Sequence, residues 1–584
     1  MTVDYPLLRQ LLIKQLFRSA EQSAELVADT SGCTRVTLRN PQLASHQASL
    51  RMVADATAVL GVGILGNCTQ LLSWNGQMVV LGKPKITTTA RSLLIEPVDS
   101  WLADSSGKRI TSGRIWDLIK DRAQPWFGHF RLDLAPVIDS LESLLPDFLP
   151  HRTRQQLQNM VGSLRLDGAH VSPVGVTLTL GLAVEAPPPG EPPRPEGVLS
   201  AAELAQWEQQ WQAMDAMLTF AIKHYAAATH REDMRQVLLD LLIDSRYRLN
   251  EALSEPPSRG SDPVRRWFLD SWERLNPVIR EIGLEEADQE PWLWIGLLTA
   301  TDALRALDRL GPTVGLEISI DGLRRLARMI SKASATDPLR YDRSVDPELQ
   351  QLWRKLSTGI PDQSSGFRFS IFPIGMAWAT EDTNRLDRWV PTAKELDEYL
   401  PVVAGLLRST AKEVASGASL TNQIKKLFRN LVLSTAWQES CWRQYVVIDR
   451  RIEPLRSASG DVGIMQINEK IWRGFYDLHK LRWSIAYNSR AGSEILLDYL
   501  TRHALKQGEH KHRGGSDNLA RASYSAYNGG PREIARYRKK QVSEPHRKID
   551  ASFWEKYRQV KAGKELQVAA CLTGEAAVAG TGVR

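Results

Sequence analysis

One glutamate, Glu439, closes a run in which Ile424, Leu427, Leu431, Val432, Thr435 and Ala436 recur at helical spacing, so its carboxyl is expected at the end of a buried helix. Burial disfavours the charged form and raises a carboxyl pKa, which keeps the acid protonated near neutral pH and able to donate. Glycosidic cleavage needs such a donor, because the leaving oxygen takes a proton as the anomeric carbon becomes oxocarbenium-like. Two further patterns follow: Ser457-Ala-Ser-Gly460-Asp461-Val-Gly463-Ile-Met465-Gln466, and Ala526-Tyr527-Asn528-Gly-Gly-Pro531. Gly460 and Gly463 admit a backbone that passes close to a saccharide, where a Cβ would obstruct. The amide of Gln466 both donates and accepts toward sugar substituents.

Taken in this order, the patterns resemble the soluble lytic transglycosylase (SLT-type) domain, which joins Glu-Ser, Ser-x-x-Gly-x-x-Gly-[hydrophobic]-Met-Gln and Ala-Tyr-Asn-x-Gly-Pro. The resemblance runs from near position 420 to near 545. It implies a mainly helical, lysozyme-like domain in which Glu439 and Tyr527 are catalytic, the phenol facing the reacting sugar and the glutamate. Ser457, Gly463, Met465, Gln466 and Asn528 are implied as substrate-binding, with Met465 and Gln466 lining the cleft. The implied reaction has Glu439 protonate the bond between N-acetylmuramic acid and N-acetylglucosamine, then act as base toward the 6-hydroxyl of the same muramoyl unit. The product is a 1,6-anhydro sugar, no water is consumed, and no cofactor or metal is expected.

Other readings stay open. Most glycoside hydrolases use a second carboxylate, and Asp449, Glu453, Asp461 and Glu469 all lie within thirty residues of Glu439. Any of them close to Glu439 would make a muramidase that hydrolyses the same bond. Asp461 is the foremost, against its reading as a turn former that bonds nearby backbone. A non-catalytic envelope scaffold or lipid-binding protein with a glycan-binding lysozyme-like domain is the alternative from another class. Twenty-one positions separate Glu439 from Gly460, more than in the commonest family pattern. The extra stretch, 445–455, has β-branched flanks around Asp-Arg-Arg and reads as a hairpin. Cys441 reads as a small buried hydrophobe. Trp442, Trp472 and Trp483 offer stacking faces for sugars, although in a chain with 18 Trp most must be core. Asn488 and Gly492 read as opening a helix, with the glycine allowing close packing.

The elements that must hold these residues suggest a multidomain α+β chain. Its 584 residues, 43% hydrophobic and 24% charged, have ordinary globular composition. Residues 1–186 read as an N-terminal α/β segment, a curved sheet plus helices that is a candidate for ligand or lipid binding. Strands are expected at 49–58, 77–81, 86–95, 130–134 and 175–184, and helices at 115–126, 135–148 and 152–163. The Pro-rich stretch 187–197 is a semi-rigid spacer. Residues 198–375 read as a helical accessory domain, with helices at 204–224, 234–253, 264–282, 292–310 and 323–332, 390–560 as the lysozyme-like domain, and 561–584 as a disordered tail.

Charge and cysteines bound the partners. Residues 501–560 hold fourteen Lys and Arg against six Asp and Glu, a basic surface suited to an acidic wall polymer. The partner expected from this is the peptidoglycan glycan strand, with envelope proteins or lipid as candidates for the other domains and no specific nucleic acid. Glu509-His-Lys-His512 reads as a mobile basic loop rather than a metal site. The four cysteines are expected mainly as reduced buried thiols, Cys33 with Cys68 being a candidate pair. No signal peptide is visible, and the envelope or periplasm is inferred from the substrate alone.

Overall fold

The structure, a computed structural model, describes residues 2–19, 21–30, 32–64, 67–87, 91–104, 106–149, 154–183, 201–254, 263–286, 291–309, 317–330, 337, 339, 345–358 and 385–573. The spacer expected at 187–197 lies outside them, as does 574–584 of the expected tail.

The N-terminal segment is built on strand alternation. Along the strand Ser49–Ile64, Met52, Ala54, Ala56 and Ala58 are buried while Asp55 and Thr57 between them are exposed, the period of a sheet with one covered face. Strand β1 (Thr2–Asp4) precedes α1 (Tyr5–Leu16), capped by the Asp4 side chain on the Leu7 N–H at 3.0 Å. Then come β2 (Ser23–Ala28), β3 (Arg35–His46), β4 (Ser49–Ile64), β5 (Asn67–Thr87), β6 (Ser92–Ala103), β7 (Arg109–Ile110), α2 (Arg114–Phe127), β8 (Arg131–Asp133), α3 (Ala135–Leu144), α4 (Arg154–Gly162), β9 (Arg165–Ser172) and β10 (Gly175–Gly181). The main sheet has the order β2-β3-β4-β5-β6-β7 with β8 also on β6, antiparallel throughout, and β1-β10-β9 form a smaller sheet. Register shifts at Glu25/Val27, Arg39/Gln42, Leu60/Gly61 and Leu81/Gly82 are bulges that bend the sheet into its curl. Leu8 and Leu12 of α1 and Ile119, Ala123 and Phe127 of α2 complete the core.

Two expected strands are corrected. The 77–81 strand is the middle of the much longer β5, whose far part exposes Thr69, Gln70, Leu71, Leu72 and Ser73 in succession; with both faces in solvent there is no alternation to read. The 86–95 strand is the end of β5 and the start of β6. Cys33 and Cys68 form a disulfide with Cα atoms 5.4 Å apart, because strand pairing brings together residues that their spacing leaves unrelated.

The middle region forms α5 (Ala201–Ala228), α6 (Glu232–Ser254), α7 (Pro263–Glu286), α8 (Pro291–Arg309) and α9 (Ile320–Ile330). These helices do not make one body. By compactness the chain divides into Met1–Ala228 with Phe268–Leu339, and Thr229–Trp267 with Arg340–Arg584. Helix α6, expected in an accessory domain, therefore belongs to the C-terminal unit. Helical periodicity reports that a face is buried but not against what.

In the C-terminal unit follow α10 (Pro347–Thr358), α11 (Leu396–Ser416), α12 (Asn422–Ser440), the hairpin β11 (Tyr445–Ile448) and β12 (Arg451–Pro454), the short pair β13 (Asp461–Val462) and β14 (Ile467–Asn468), α13 (Leu478–Trp483), α14 (Ile485–Asp498), α15 (Asp517–Gly529) and α16 (Glu544–Lys561). The hairpin turns on Asp449 and Arg450, both at positive φ, the conformation that matches strand twist in a two-residue turn. Helix α12 starts where the Thr421 hydroxyl accepts from the Ile424 N–H and ends where Cys441 turns left-handed.

The tail is also corrected. Residues 565–571 form a 3-10 helix with Val568 fully buried, and Cys571 is disulfide-bonded to Cys441 with Cα atoms 6.0 Å apart. Cys441 is thus a cross-link rather than a free hydrophobe. The bridge closes a 130-residue span that starts two residues after Glu439 and contains the Gly463–Gln466 loop, Tyr524 and Tyr527. Cys571→Ser is expected to cost about 2–5 kcal/mol of stability, read as a denaturant midpoint below that of the oxidised wild type. An unchanged midpoint would deny the bridge this role. Among the described residues no helix is long and apolar enough to cross a membrane.

Candidate active site

Glu439 sits half-buried one residue from the end of α12, whose Leu431, Val432, Thr435 and Ala436 are buried. The phenol that reaches it is Tyr524, not Tyr527. Tyr524 Oη donates to Glu439 Oε1 at 2.7 Å, and its ring lies flat on Phe553 of α16, with centroids 3.9 Å apart and planes 3° from parallel. Tyr527 lies one turn later on α15 and donates instead to the Met465 carbonyl at 2.6 Å. Burial, with the charge of Glu439 adding to it, holds the Tyr527 phenol protonated well above its usual range. Positions three apart share a helix face, so the sequence offers both phenols to the glutamate; the packing of Tyr524 on Phe553 and the bond from Tyr527 to the Met465 carbonyl separate their roles.

Tyr524→Phe keeps the ring on Phe553 and removes the phenol's hydrogen bond to the acid. A hydrogen bond to a charged group is worth about 1.5–3 kcal/mol, so turnover is expected to fall roughly ten- to a hundredfold with the fold intact, read as the rate of glycan release. Tyr527→Phe, in contrast, is expected to act mainly through stability.

The Gly463–Gln466 backbone is caged by side-chain hydrogen bonds. Ser440 Oγ donates to the Ile464 carbonyl at 2.6 Å. Gln444 Oε1 accepts from Ile464 N at 2.7 Å while its amide donates to the Leu481 and Arg482 carbonyls. Asn488 accepts from Met465 N at 2.9 Å and donates to the Val462 and Leu481 carbonyls. This network, fully buried and fully paired, fixes the segment next to the end of α12. Gly463 has φ +76°, and a Cβ there would lie 2.5 Å from Gln444 Oε1 and would also strike Asn488. Its glycine is thus demanded by the cage rather than by an approaching saccharide. Met465 is fully buried, its side chain filling the space that a Cβ on Gly492 would occupy, so it lines no cleft. Gln466 remains half-buried at φ +47° and donates to the Gly463 carbonyl at 2.8 Å.

Ser457 and Asp461 form a second closed set. Asp461 accepts from Ser457 Oγ at 2.6 Å, Ser459 Oγ at 2.5 Å and Asn468 Nδ2 at 2.9 Å, the turn-forming role. Ser457 therefore shapes the loop. Glu469 is held by Arg456 and Arg482, and Asp449 is exposed at the hairpin tip. Asn528 accepts from Arg536 Nη2 at 3.0 Å, and Arg536 is buried against Asp550.

Other contributors were not marked in the sequence. Tyr247 of α6 donates to the Tyr527 carbonyl at 2.9 Å and packs under Gly530, its phenol pushed up first by burial. Arg246 donates to the Ile471 and Arg473 carbonyls at 2.9 Å each, so α6 is built into the wall of the catalytic unit. Lys556 Nζ donates to Gln438 Oε1 at 2.6 Å; burial pushes its pKa down to about 8, against the opposing pull of Glu439. Trp442 and Trp472 are core residues, and half-buried Trp483 stacks with Tyr445. Glu509 is wholly buried and accepts from Tyr537 and Arg538 at 2.8 Å, so the stretch read as a mobile basic loop is anchored by its acid. Among the described residues no three His, Cys, Asp or Glu cluster as a metal would need.

No curated protein and no solved structure matches the chain. A family model does match: residues 419–549, which carry Glu439, Tyr524, Tyr527 and the caged loop, fit the transglycosylase SLT domain. The C-terminal part of this chain thus contains an SLT-type, lysozyme-like domain, with the glycan-cleaving role that family supports.

Proposed function

We propose that this domain is a peptidoglycan lytic transglycosylase that cleaves the β-1,4 bond from N-acetylmuramic acid to N-acetylglucosamine and leaves a 1,6-anhydro end. The reading rests on one observation: the acid closing α12 is paired with a phenol, while Asp461 and Glu469 are engaged elsewhere and Asp449 stands exposed at the hairpin tip. In the first step Glu439 gives its proton to the glycosidic oxygen as that bond breaks. The resulting carboxylate then takes the proton of the muramoyl 6-hydroxyl, whose oxygen bonds to the anomeric carbon. Tyr524 supports both steps by fixing the carboxyl's orientation, and its O–H stabilises the carboxylate formed between them. The positive charge of Lys556 favours the same ionised state.

A hydrolase would need an activated water, and Asp461, with three hydrogen bonds to hold its loop, is poorly suited as the base. Disulfides persist in oxidising compartments, so Cys33–Cys68 and Cys441–Cys571 favour an envelope location. The test is to digest purified sacculi with the full chain and follow soluble glycan and new reducing ends together. Release without a matching rise in reducing ends supports the proposal; an equal rise makes the domain a muramidase.

A further inference from the structure

The end of α12 away from Glu439 opens on a groove that the reaction does not use. Seventeen residues separate Asn422 from Glu439, about 25 Å along the helix. Between α11 and the first turns of α12 lies a cavity of ≈ 440 Å³ lined by Arg408, Lys412, Lys425, Lys426 and Arg429, with no acid in its wall. Arg408 pairs with Glu565. Among the described residues Lys412, Lys425, Lys426 and Arg429 make no ion pair. Arg408 and Lys412 on α11, and Lys425 and Arg429 on α12, are like charges four apart, an arrangement that destabilises each helix. A concave wall of one sign concentrates the potential, and the N-terminal end of α12 at Asn422 adds its partial positive charge.

We propose that this groove binds a linear polyanion of the phosphodiester type, a polyol-phosphate chain, apart from the glycan cleft. Its size exceeds a single phosphate and falls in the range of ligand sites. Guanidinium forks and ammonium groups from two facing helices suit successive tetrahedral oxyanions. No aromatic residue lines it, so it lacks the stacking platform that bases of a single-stranded nucleic acid would use. A concave channel suits a chain better than the flat surface of a bilayer. Binding an anion here removes the like-charge repulsion on both helices at once.

The experiment titrates the full chain with poly(glycerol phosphate) at several salt concentrations, beside the Lys412→Glu/Lys425→Glu/Arg429→Glu variant. All three positions lie outside the catalytic machinery, so turnover on short soluble glycan is expected to stay unchanged, and the thermal midpoint not to fall, since Lys412→Glu would set a carboxylate four positions from Arg408. The variant is expected to bind at least about tenfold more weakly, with a log–log salt slope shallower by roughly 0.7 for each cation lost. If the triple variant fails to fold, Lys426→Gln/Arg429→Gln serves, with a proportionally smaller loss expected. Equal affinity of wild type and variant would overturn the proposal. So would tighter binding to an oligodeoxynucleotide or to vesicles of anionic lipid than to poly(glycerol phosphate). The readout is binding, measured equally well on Glu439→Gln protein, so its failure is separable from failure of the lytic reading.

Discussion

Glu439→Gln is expected to lower lysis of purified sacculi by about a thousandfold while binding to insoluble wall is retained. Proton transfer by a positioned acid contributes about 10²–10⁴ in rate, and here one carboxyl serves as acid and then as base, so both steps fail together. The amide is isosteric, and Tyr524 Oη can still donate to its oxygen as it does to Glu439 Oε1, so the cleft keeps its shape. Lysis followed as loss of turbidity, beside a pull-down with wall, separates the two properties. A variant that retains a tenth of the wild-type rate would remove Glu439 from the chemistry.

The second large effect concerns stability. Gly463→Ala places a Cβ against the Gln444 and Asn488 amides at a residue with φ +76°. Neither amide can retreat, because each is bonded on one side to the backbone of Ile464 or Met465 and on the other to the Leu481 carbonyl. The left-handed backbone alone costs about 1–2 kcal/mol, and each buried polar group left unpaired costs about 1–3 kcal/mol more. The sum, roughly 3–5 kcal/mol, is a large share of ordinary domain stability. Gly460→Ala is the control: it too has positive φ, +90°, but its Cβ would point into open space, so only the backbone cost is expected. Denaturant midpoints of the two variants should therefore differ widely; midpoints close together would mean that the cage does not hold the loop.

Several parts of this site were legible before any coordinates. The apolar spacing up to Ala436 placed Glu439 at a helix end, and β-branched flanks around Asp449-Arg450 marked the hairpin. Both are local signals, set by residues within a few turns of one another. What the sequence left open depends on packing between distant segments. Tyr524 and Tyr527 lie one turn apart on one face, and their exchange of partners rests on Phe553, some twenty-six positions beyond the second of them. Asn528 and Ser457 carry the right groups for sugar contacts, yet Arg536 and Asp461 already engage them. Helix α6 reads like its neighbours in amphipathic pattern, and it is contacts across sequence, among them the bonds from Arg246 and Tyr247 and the Arg532–Asp244 pair, that assign it to the C-terminal unit. Cys441 could be paired with Cys571 only once the chain end was seen to return to α12.

The central claim concerns what closes on the anomeric carbon after the proton is given. Digesting sacculi with the full chain in H₂¹⁸O and weighing the released muropeptides by mass spectrometry decides it. The account predicts ends one water lighter than reducing ends and free of ¹⁸O. Muropeptides ending in a reducing sugar that carries ¹⁸O would contradict it.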